Sequence, residues 1–524
     1  VANLEAGHLW NGHESLGQAS TQITGTGALG EYDAHATWVA SALAGRLPGD
    51  PERGQGIAPG AALWSGAIAT AWTTNAYSGR FGNTLESIAT VYKPALVTGV
   101  AGQTAHVINS SWGDGDPTGF TLVTLGIDGW IQQGNVVSVT AAGNAGPGAN
   151  SVGGMAAGYN SISVGALGSD TATPPYDTVA SFSSRGPNDF VVATSRLNGQ
   201  YSVTPRPAVD LVAPGQNLVL AHYNGQTGGN GAVLPGSPAW GGSTTATNLY
   251  LSGLQGTSFA SPMVAGGAAL LIGAGLEAYD GNAQAIDARV IKAVLMNAAD
   301  KIPGWDNGQA LDPQSGLIVT YQALDYTSGA GALDLDATFD QYLPLSLDGQ
   351  AATADVAGTG NGDLGEVGLT GWDFGQTYSS GANWYYFHEE AQPGDIFTAT
   401  LNWFVDRNPG AGNFVVDGTF GEERFADLDL YLFRYDESGH TDVAASAGYV
   451  SNTEHLRIYI AEAGKYGLRV EYTGDVWNFT EEETVEYGVA WSLVPEPGAF
   501  ALLAVGLLTL LATRQHRRCA RRTA

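Results

Sequence analysis

An α/β domain with a mostly parallel sheet, an antiparallel β-sandwich after it and a short hydrophobic helix at the C-terminus form the fold class that this sequence predicts. The first part rests on short apolar, β-branched runs that alternate with helix-like segments over the first 340 residues. The second rests on a change of hydrophobic period to two beyond residue 371, and the third on an apolar run at 499–513. At 524 residues the chain is long enough for two or three folded units. A hydrophobic share of 44% with only 14% charged residues excludes a disordered chain, and 74 Gly without a three-residue period exclude collagen.

In order along the chain, residues 105–109, 136–140 and 161–164 are short, apolar and bounded by Gly or Asn, as strands buried on both faces are. Residues 34–44, 118–133, 258–273 and 286–298 read as helices, so 1–345 forms an α/β domain. The Gly-, Ala-, Thr- and Asp-rich stretch 346–371 reads as a linker. Beyond it Leu428, Leu430 and Leu432 share one strand face, as do Tyr466, Leu468, Val470 and Tyr472, which makes 372–493 a half-buried antiparallel sandwich. The tail 494–524 joins Pro495-Glu496-Pro497 to the apolar run and then to Arg514, Arg517, Arg518, Arg521 and Arg522. That run is shorter than the ~20 residues of an ordinary spanning helix, but cations beside it fit the cytoplasmic side of a membrane.

Charge narrows the partners. The 21 Lys+Arg against 50 Asp+Glu give −29, which argues against nucleic acid, whose phosphates need clustered cations. Between 331 and 494 the count is 28 acidic against 6 basic residues, or −22. The single cysteine, Cys519, sits in the tail, so 1–493 holds neither a disulfide nor a thiolate-bound metal.

The chemistry concentrates in the first domain. In Gly-Thr-Ser-Phe-Ala-Ser-Pro-Met-Val-Ala-Gly, residues 256–266, Ser258 follows a Gly-Thr turn at the start of an apolar helix, whose free amides favour a developing negative charge. A serine that merely caps a helix has the same local pattern. The whole string resembles the nucleophile motif of subtilisin-like serine proteases, the peptidase S8 family. The resemblance implies a three-layer α/β fold and peptide hydrolysis through an acyl-enzyme, and it extends residue by residue.

Asp-Ala-His-Ala-Thr-Trp, residues 33–38, resembles the family's histidine segment and implies His35 as general base. Ala36 departs from the family's Gly and is expected to narrow the active-site floor; of the Thr-His that follows in the family, this chain keeps the Thr as Thr37 and has Trp38 in place of the His. Val-Ala-Asn-Leu-Glu-Ala-Gly, residues 1–7, resembles the first strand and puts Glu5 where the family has the Asp that orients the imidazole. Asp33 is the rival acid, although near neighbours in sequence rarely face each other; a weakened or inactive enzyme is the third outcome. Asn144, in Ala-Ala-Gly-Asn at 141–144, is implied as an oxyanion donor beside the Ser258 amide. Val-Ile-Asn-Ser-Ser-Trp-Gly, residues 107–113, resembles the strand that receives extended substrate, with Ser111, Trp112 and Gly113, together with Ala142 and Gly143, as substrate-binding residues. Further matches at 182–187, 210–215 and 329–334 extend the resemblance over about 1–338, around a Gly-rich insertion at 223–250.

Two other resemblances follow. Residues 427–433, Thr453-Glu454 and 463–470 resemble the bacterial pre-peptidase C-terminal domain, and 494–524 resembles the PEP-CTERM sorting signal. The latter implies export, a transient inner-membrane anchor, tail removal by an exosortase-type sorting enzyme and a place on the surface or in the extracellular matrix of a Gram-negative-type bacterium. It also implies a secretion leader ahead of Val1. Partners are then protein or peptide substrates. No cofactor is expected for catalysis; the subtilisin resemblance implies structural calcium, for which Asp427 and Asp429 are candidate ligands against the reading of a solvated strand face. A surface-binding protein that keeps the fold without turnover is the competing function, motivated by Glu5, Ala36 and Trp38.

Overall fold

The computed structural model describes residues 1–46, 55–72, 81–168, 176–190, 204–223, 250–343, 361–379, 381–409, 421–480 and 482–495. The expected C-terminal helix and most of the Gly-rich insertion lie outside the described residues.

Seven parallel strands build the first domain: β1 (Ala2–Glu5), β2 (Ala19–Thr24), β3 (Leu63–Ala67), β4 (Val107–Ser110), β5 (Val137–Ala141), β6 (Ile162–Gly168) and β7 (Leu211–Pro214). Their spatial order is β7-β6-β5-β4-β1-β3-β2, and a short antiparallel strand, Thr178–Val179, flanks β6. The helices are α1 (Ala34–Ala44), α2 (Leu85–Lys93), α3 (Leu122–Gly134), α4 (Thr257–Ala278), α5 (Ala288–Asn297) and α6 (Leu335–Tyr342). Every residue of β1, β4, β5 and β6 is buried, as the unbroken apolar runs require of strands covered by helices on both faces. Val107, Val137, Val139, Ile162 and Val164 meet Leu43, Val264, Leu271 and Leu295 in one core, while Ile108, Ile88, Val91 and Ile131 fill the opposite face. α1 and α4 approach closely at Gly266, where a Cβ would lie 3.1 Å from the Leu43 carbonyl oxygen of α1 and 2.6 Å from Cβ of Ile57 in the segment after it. Among the described residues α4 alone is long and apolar enough to cross a membrane, and it lies mostly inside this core.

After β8 (Ile318–Thr320), the second domain comprises β9 (Asn361–Val367), β10 (Thr370–Tyr378), β11 (Ala382–Ala391), β12 (Ile396–Trp403), β13 (Glu422–Asp436), β14 (Gly439–Ser446), β15 (Thr453–Tyr459), β16 (Gly464–Asn478) and β17 (Thr484–Val494). One sheet runs β8-β14-β13-β16-β11-β9 and the other β10-β17-β12-β15. Leu428, Leu430, Leu432, Leu468 and Val470 of the first face Phe397, Leu401, Val489 and Trp491 of the second, so the period-two pattern marks the inner face as expected.

Two boundaries differ from expectation. Residues 361–371, expected to be linker, carry β9 and the start of β10: pairing with β11 and β17 gives even a Gly- and Asp-rich stretch partners for its backbone. Residues 318–320, assigned to the first domain, add in parallel to the second domain's sheet, with Ile318 against Ala444 and Thr320 against Ser446.

The domains share a continuous interior. All ten residues of α5 are buried because it lies between the parallel sheet and the second domain, and a Cβ on Gly488 would sit 2.3 Å from the Arg289 carbonyl carbon. The Gln341 amide donates to Gly371 O and Trp491 O at 3.2 Å each, Trp372 Nε1 donates to Tyr342 O at 3.1 Å, and Asn160 exchanges two 2.9 Å bonds with the Val405 backbone. Asp128 and Arg407, both fully buried, pair at 3.3 Å. Ending the chain at residue 345 would therefore strand Asp128, bare α5 and leave these amides without partners. The truncated chain is expected to be insoluble or to lose its near-UV circular dichroism; a soluble product with the full chain's unfolding transition would show that the domains are independent.

Candidate active site

In the order β7-β6-β5-β4-β1-β3-β2 the chain leaves β1 first to one side and then to the other, so β1 marks the point where a parallel sheet opens a crevice at its strand C-termini. Glu5 is the last residue of β1, Ser111 follows β4, and Ala142, Gly143 and Asn144 follow β5. His35 lies in the first turn of α1 and Ser258 in the first turn of α4. Five separate segments thus converge on one crevice.

Glu5 is 1% exposed and divides its carboxylate between two donors: Oε1 accepts the Ser111 amide at 2.7 Å, and Oε2 lies 3.1 Å from His35 Nδ1. Burial alone would depress His35, but the hydrogen bond and charge of Glu5, with the charge of Asp33, outweigh it and hold the imidazole above its ordinary pKa. A base so held stays protonated to higher pH, which lifts the acidic limb of any reaction that needs it neutral. The rival Asp33 bonds the His35 and Ala36 amides at 3.2 and 3.3 Å as the N-cap of α1.

Ser258 is 8% exposed, and its ring neighbour Phe259 lies 6.1 Å from the His35 ring, which brings the first turn of α4 beside the imidazole. Pro262 has no amide to give the Ser258 carbonyl inside the helix; the Ser111 hydroxyl supplies that bond at 2.8 Å. The Ser258 hydroxyl in turn lies 3.4 Å from Ser111 O. Gly256, just before the helix, has φ +153°, outside the range of most side-chain-bearing residues.

Asn144 Oδ1 accepts the Thr257 amide at 2.9 Å and the Thr257 hydroxyl at 3.2 Å. An amide N–H can only donate, so this pairing fixes which end of the Asn144 amide is oxygen and leaves Nδ2 beside Gly256, 3.8 Å from where a Cβ would stand. The first-turn amides of α4 have no acceptor within their own helix, so the Asn144 amide and the Ser258 N–H can face one oxyanion. Thr257 also receives the Gly143 amide at 3.1 Å. Thr257 has no role among the sequence expectations; its place between the Gly turn and the serine is the signal that marks it.

The substrate-binding expectations land unevenly. The Ser111 amide is spent on Glu5 and its carbonyl on Ser258, so this residue braces the acid and the serine. The Trp112 indole N–H is spent inside the protein, donating to Leu4 O at 3.1 Å and Tyr92 Oη at 2.9 Å. Ala142 and Gly143 have their amides bonded to Val164 O and Thr257. Gly113 is exposed and has no atom within 3.6 Å of a built Cβ, so it keeps an open backbone at the strand's end.

The family departures near His35 are absorbed by packing. The Ala36 methyl belongs to the core with Leu9, Ala40 and Val264 instead of the crevice floor. Trp38 stacks on His222 at 5.8 Å and 17°, its Nε1 3.2 Å from His222 Nδ1. In the sandwich, Asp429 is buried and accepts the Tyr431 hydroxyl at 3.0 Å, and burial pushes the Asp427 and Asp429 carboxyls up to about 6 and about 7. Neither is a freely solvated carboxylate. Among the described residues no group of three or more His, Cys, Asp or Glu side chains gathers as a metal site.

Three solved structures are among those similar to this chain. The S41 psychrophilic protease shares 22% identity with a TM-score of 0.41 over 64% of this chain and 90% of its own. Sphericase shares 20% and 0.40 over 63% and 90%. A serine protease of Aeromonas sobria shares 16% and 0.43 over 94% of this chain and 87% of its own. The profile of the subtilase family, Peptidase_S8, matches residues 11–331, more than half of the sequence, and on that match the chain belongs to the subtilase family.

Proposed function

We propose that this chain is a serine endopeptidase working through a Ser-His-Glu variant of the subtilisin triad. The observation that carries the reading is the buried Glu5 carboxylate, 3.1 Å from His35 Nδ1, beside the helix turn that bears Ser258. His35 Nε2 takes the Ser258 proton as Oγ attacks the peptide carbonyl, while Nδ1–H stays on Glu5. The oxyanion draws on Asn144 Nδ2 and the Ser258 amide. His35 then gives its proton to the departing amine, and water releases the acyl group by the same steps in reverse order. Substrate runs along the β4 end past Gly113, where backbone contacts admit many sequences. The same reading includes export, with 494–524 as an anchor and sorting signal for an exosortase-type enzyme, supported by its Pro-Glu-Pro, apolar and Arg-rich order.

The test is hydrolysis of an unfolded protein substrate by the full chain, with mass spectrometry after treatment with a serine-directed phosphonate. Peptide products and a phosphonyl adduct on the 256–266 peptide are expected. An inert protein without an adduct would instead support the surface-binding reading.

A further inference from the structure

We propose that Asp33 is a second acidic positioning residue for His35, fixing the backbone of the base and adding negative charge where the imidazolium forms. The proposal rests on the serine-peptidase reading above. Asp33 is buried at the turn into α1 and is held from four sides. Its carboxylate accepts the amides of His35 and Ala36, its own amide donates to His8 O at 2.8 Å, and its carbonyl accepts the Thr37 hydroxyl at 2.7 Å. A Cβ on Gly7 would lie 2.7 Å from Asp33 Cβ, so only a glycine there lets the end of β1 come this close to the start of α1. Glu5 grips the imidazole through Nδ1 while Asp33 grips the same residue through its main chain. Two carboxylates bracket one histidine.

A carboxylate differs from the other capping side chains in two ways here: its Oδ1 and Oδ2 take the His35 and Ala36 amides separately, where Asn or Ser offers one oxygen, and it brings a charge that has to be desolvated. The neighbouring ionisable groups leave Asp33 and Glu5 as the charges that act on His35. His8, from the segment after β1, bonds Ser65 and Thr24 and is pushed down by burial to about 4, so it is neutral. Tyr92 of α2 is pushed up by burial and stays a neutral phenol. Burial pushes the Asp33 carboxyl up to about 7, the Glu5 charge adds to this and the His35 charge opposes it. Asp33 is therefore ionised on the alkaline side, where a peptidase base must be neutral at rest and take up a proton during attack.

The experiment compares Asp33→Asn and Asp33→Ser in the full chain. It reads thermal unfolding, the kcat/KM profile against pH, and the His35 imidazole titration by NMR in a Ser258→Ala background. Expected are a folded protein that unfolds at a somewhat lower temperature, since one of the two capped amides loses its acceptor, a His35 midpoint and acidic limb moved to lower pH, and a plateau kcat/KM about 10-fold lower, the size of one close charge interaction. A His35 midpoint unmoved in both variants would overturn the proposal, and so would loss of folding in both, since Asp33 would then be a structural cap alone. If the unsubstituted chain hydrolyses nothing, the peptidase reading fails while the NMR titration still reports on Asp33.

Discussion

Ser258→Ala is expected to lower kcat by about 10⁶-fold while leaving KM and the unfolding temperature close to those of the unsubstituted chain. The size follows from what the side chain does: with no Oγ there is no acyl-enzyme, and His35 and Glu5 have no proton to move. A residue of rate, about 10³- to 10⁴-fold over water, should survive because Asn144, the α4 amides and the backbone near Gly113 still bind and polarise the carbonyl. Stability should hardly change. The Ser258 hydroxyl makes only a long 3.4 Å contact with Ser111 O, whereas the structural bond at this position, Ser111 Oγ to the Ser258 carbonyl, does not involve the replaced side chain. Ala also has the higher helix propensity. Single-turnover and steady-state kinetics on one preparation, with phosphonate labelling, check the prediction. A variant that keeps its rate would move the nucleophile to another residue.

Much of this site was legible because it depends on local strings. α1 spans the 34–44 that its apolar pattern predicts, and Glu5, His35, Asn144 and Ser258 each sit in a short segment whose residue types carry their chemistry. The nearness of Glu5 to His35 was readable only through resemblance, since no pattern within one segment encodes a contact between β1 and α1. Near neighbours in sequence rarely face each other through their side chains, yet Asp33 reaches the His35 backbone, because an N-cap accepts amides two and three residues ahead. Ser111 and Trp112 show the same limit: their backbone positions follow the strand pattern, but which of their atoms are already spent depends on Glu5, Ser258, Leu4 and Tyr92, all distant in sequence. The domain boundary was hidden for a related reason. A three-residue strand such as β8 carries no sign of which sheet it joins, and its pairing with β14 is fixed by packing more than 120 residues away.

Glu5→Gln is expected to lower kcat by about 10⁴-fold, the larger part of what loss of the serine costs, although it keeps the volume of the side chain. Glu5 serves two donors at once, the Ser111 amide and His35 Nδ1–H, and needs two acceptor oxygens to do so. Gln has one oxygen and one NH₂. If its oxygen stays with the Ser111 amide, which has no proton-accepting alternative, its NH₂ faces Nδ1. The imidazole must then carry its proton on Nε2, the nitrogen that has to receive the one from Ser258. Turning the amide over instead sets NH₂ against the buried Ser111 N–H, two donors in contact, at a cost of about 1–3 kcal/mol for the unsatisfied group. Loss of the Glu5 charge also removes the main influence raising the His35 pKa, so the acidic limb of kcat/KM should move to lower pH even as the plateau collapses. Glu5→Asp should fall between the two: it restores both oxygens, but one methylene shorter it cannot keep the 2.7 and 3.1 Å contacts together from the end of β1. The pH profile separates this account from general damage, because a variant merely misfolded around β1 would lose rate without moving the limb. An unchanged rate in Glu5→Gln would sink the Ser-His-Glu assignment while leaving Ser258 as nucleophile open to its own test.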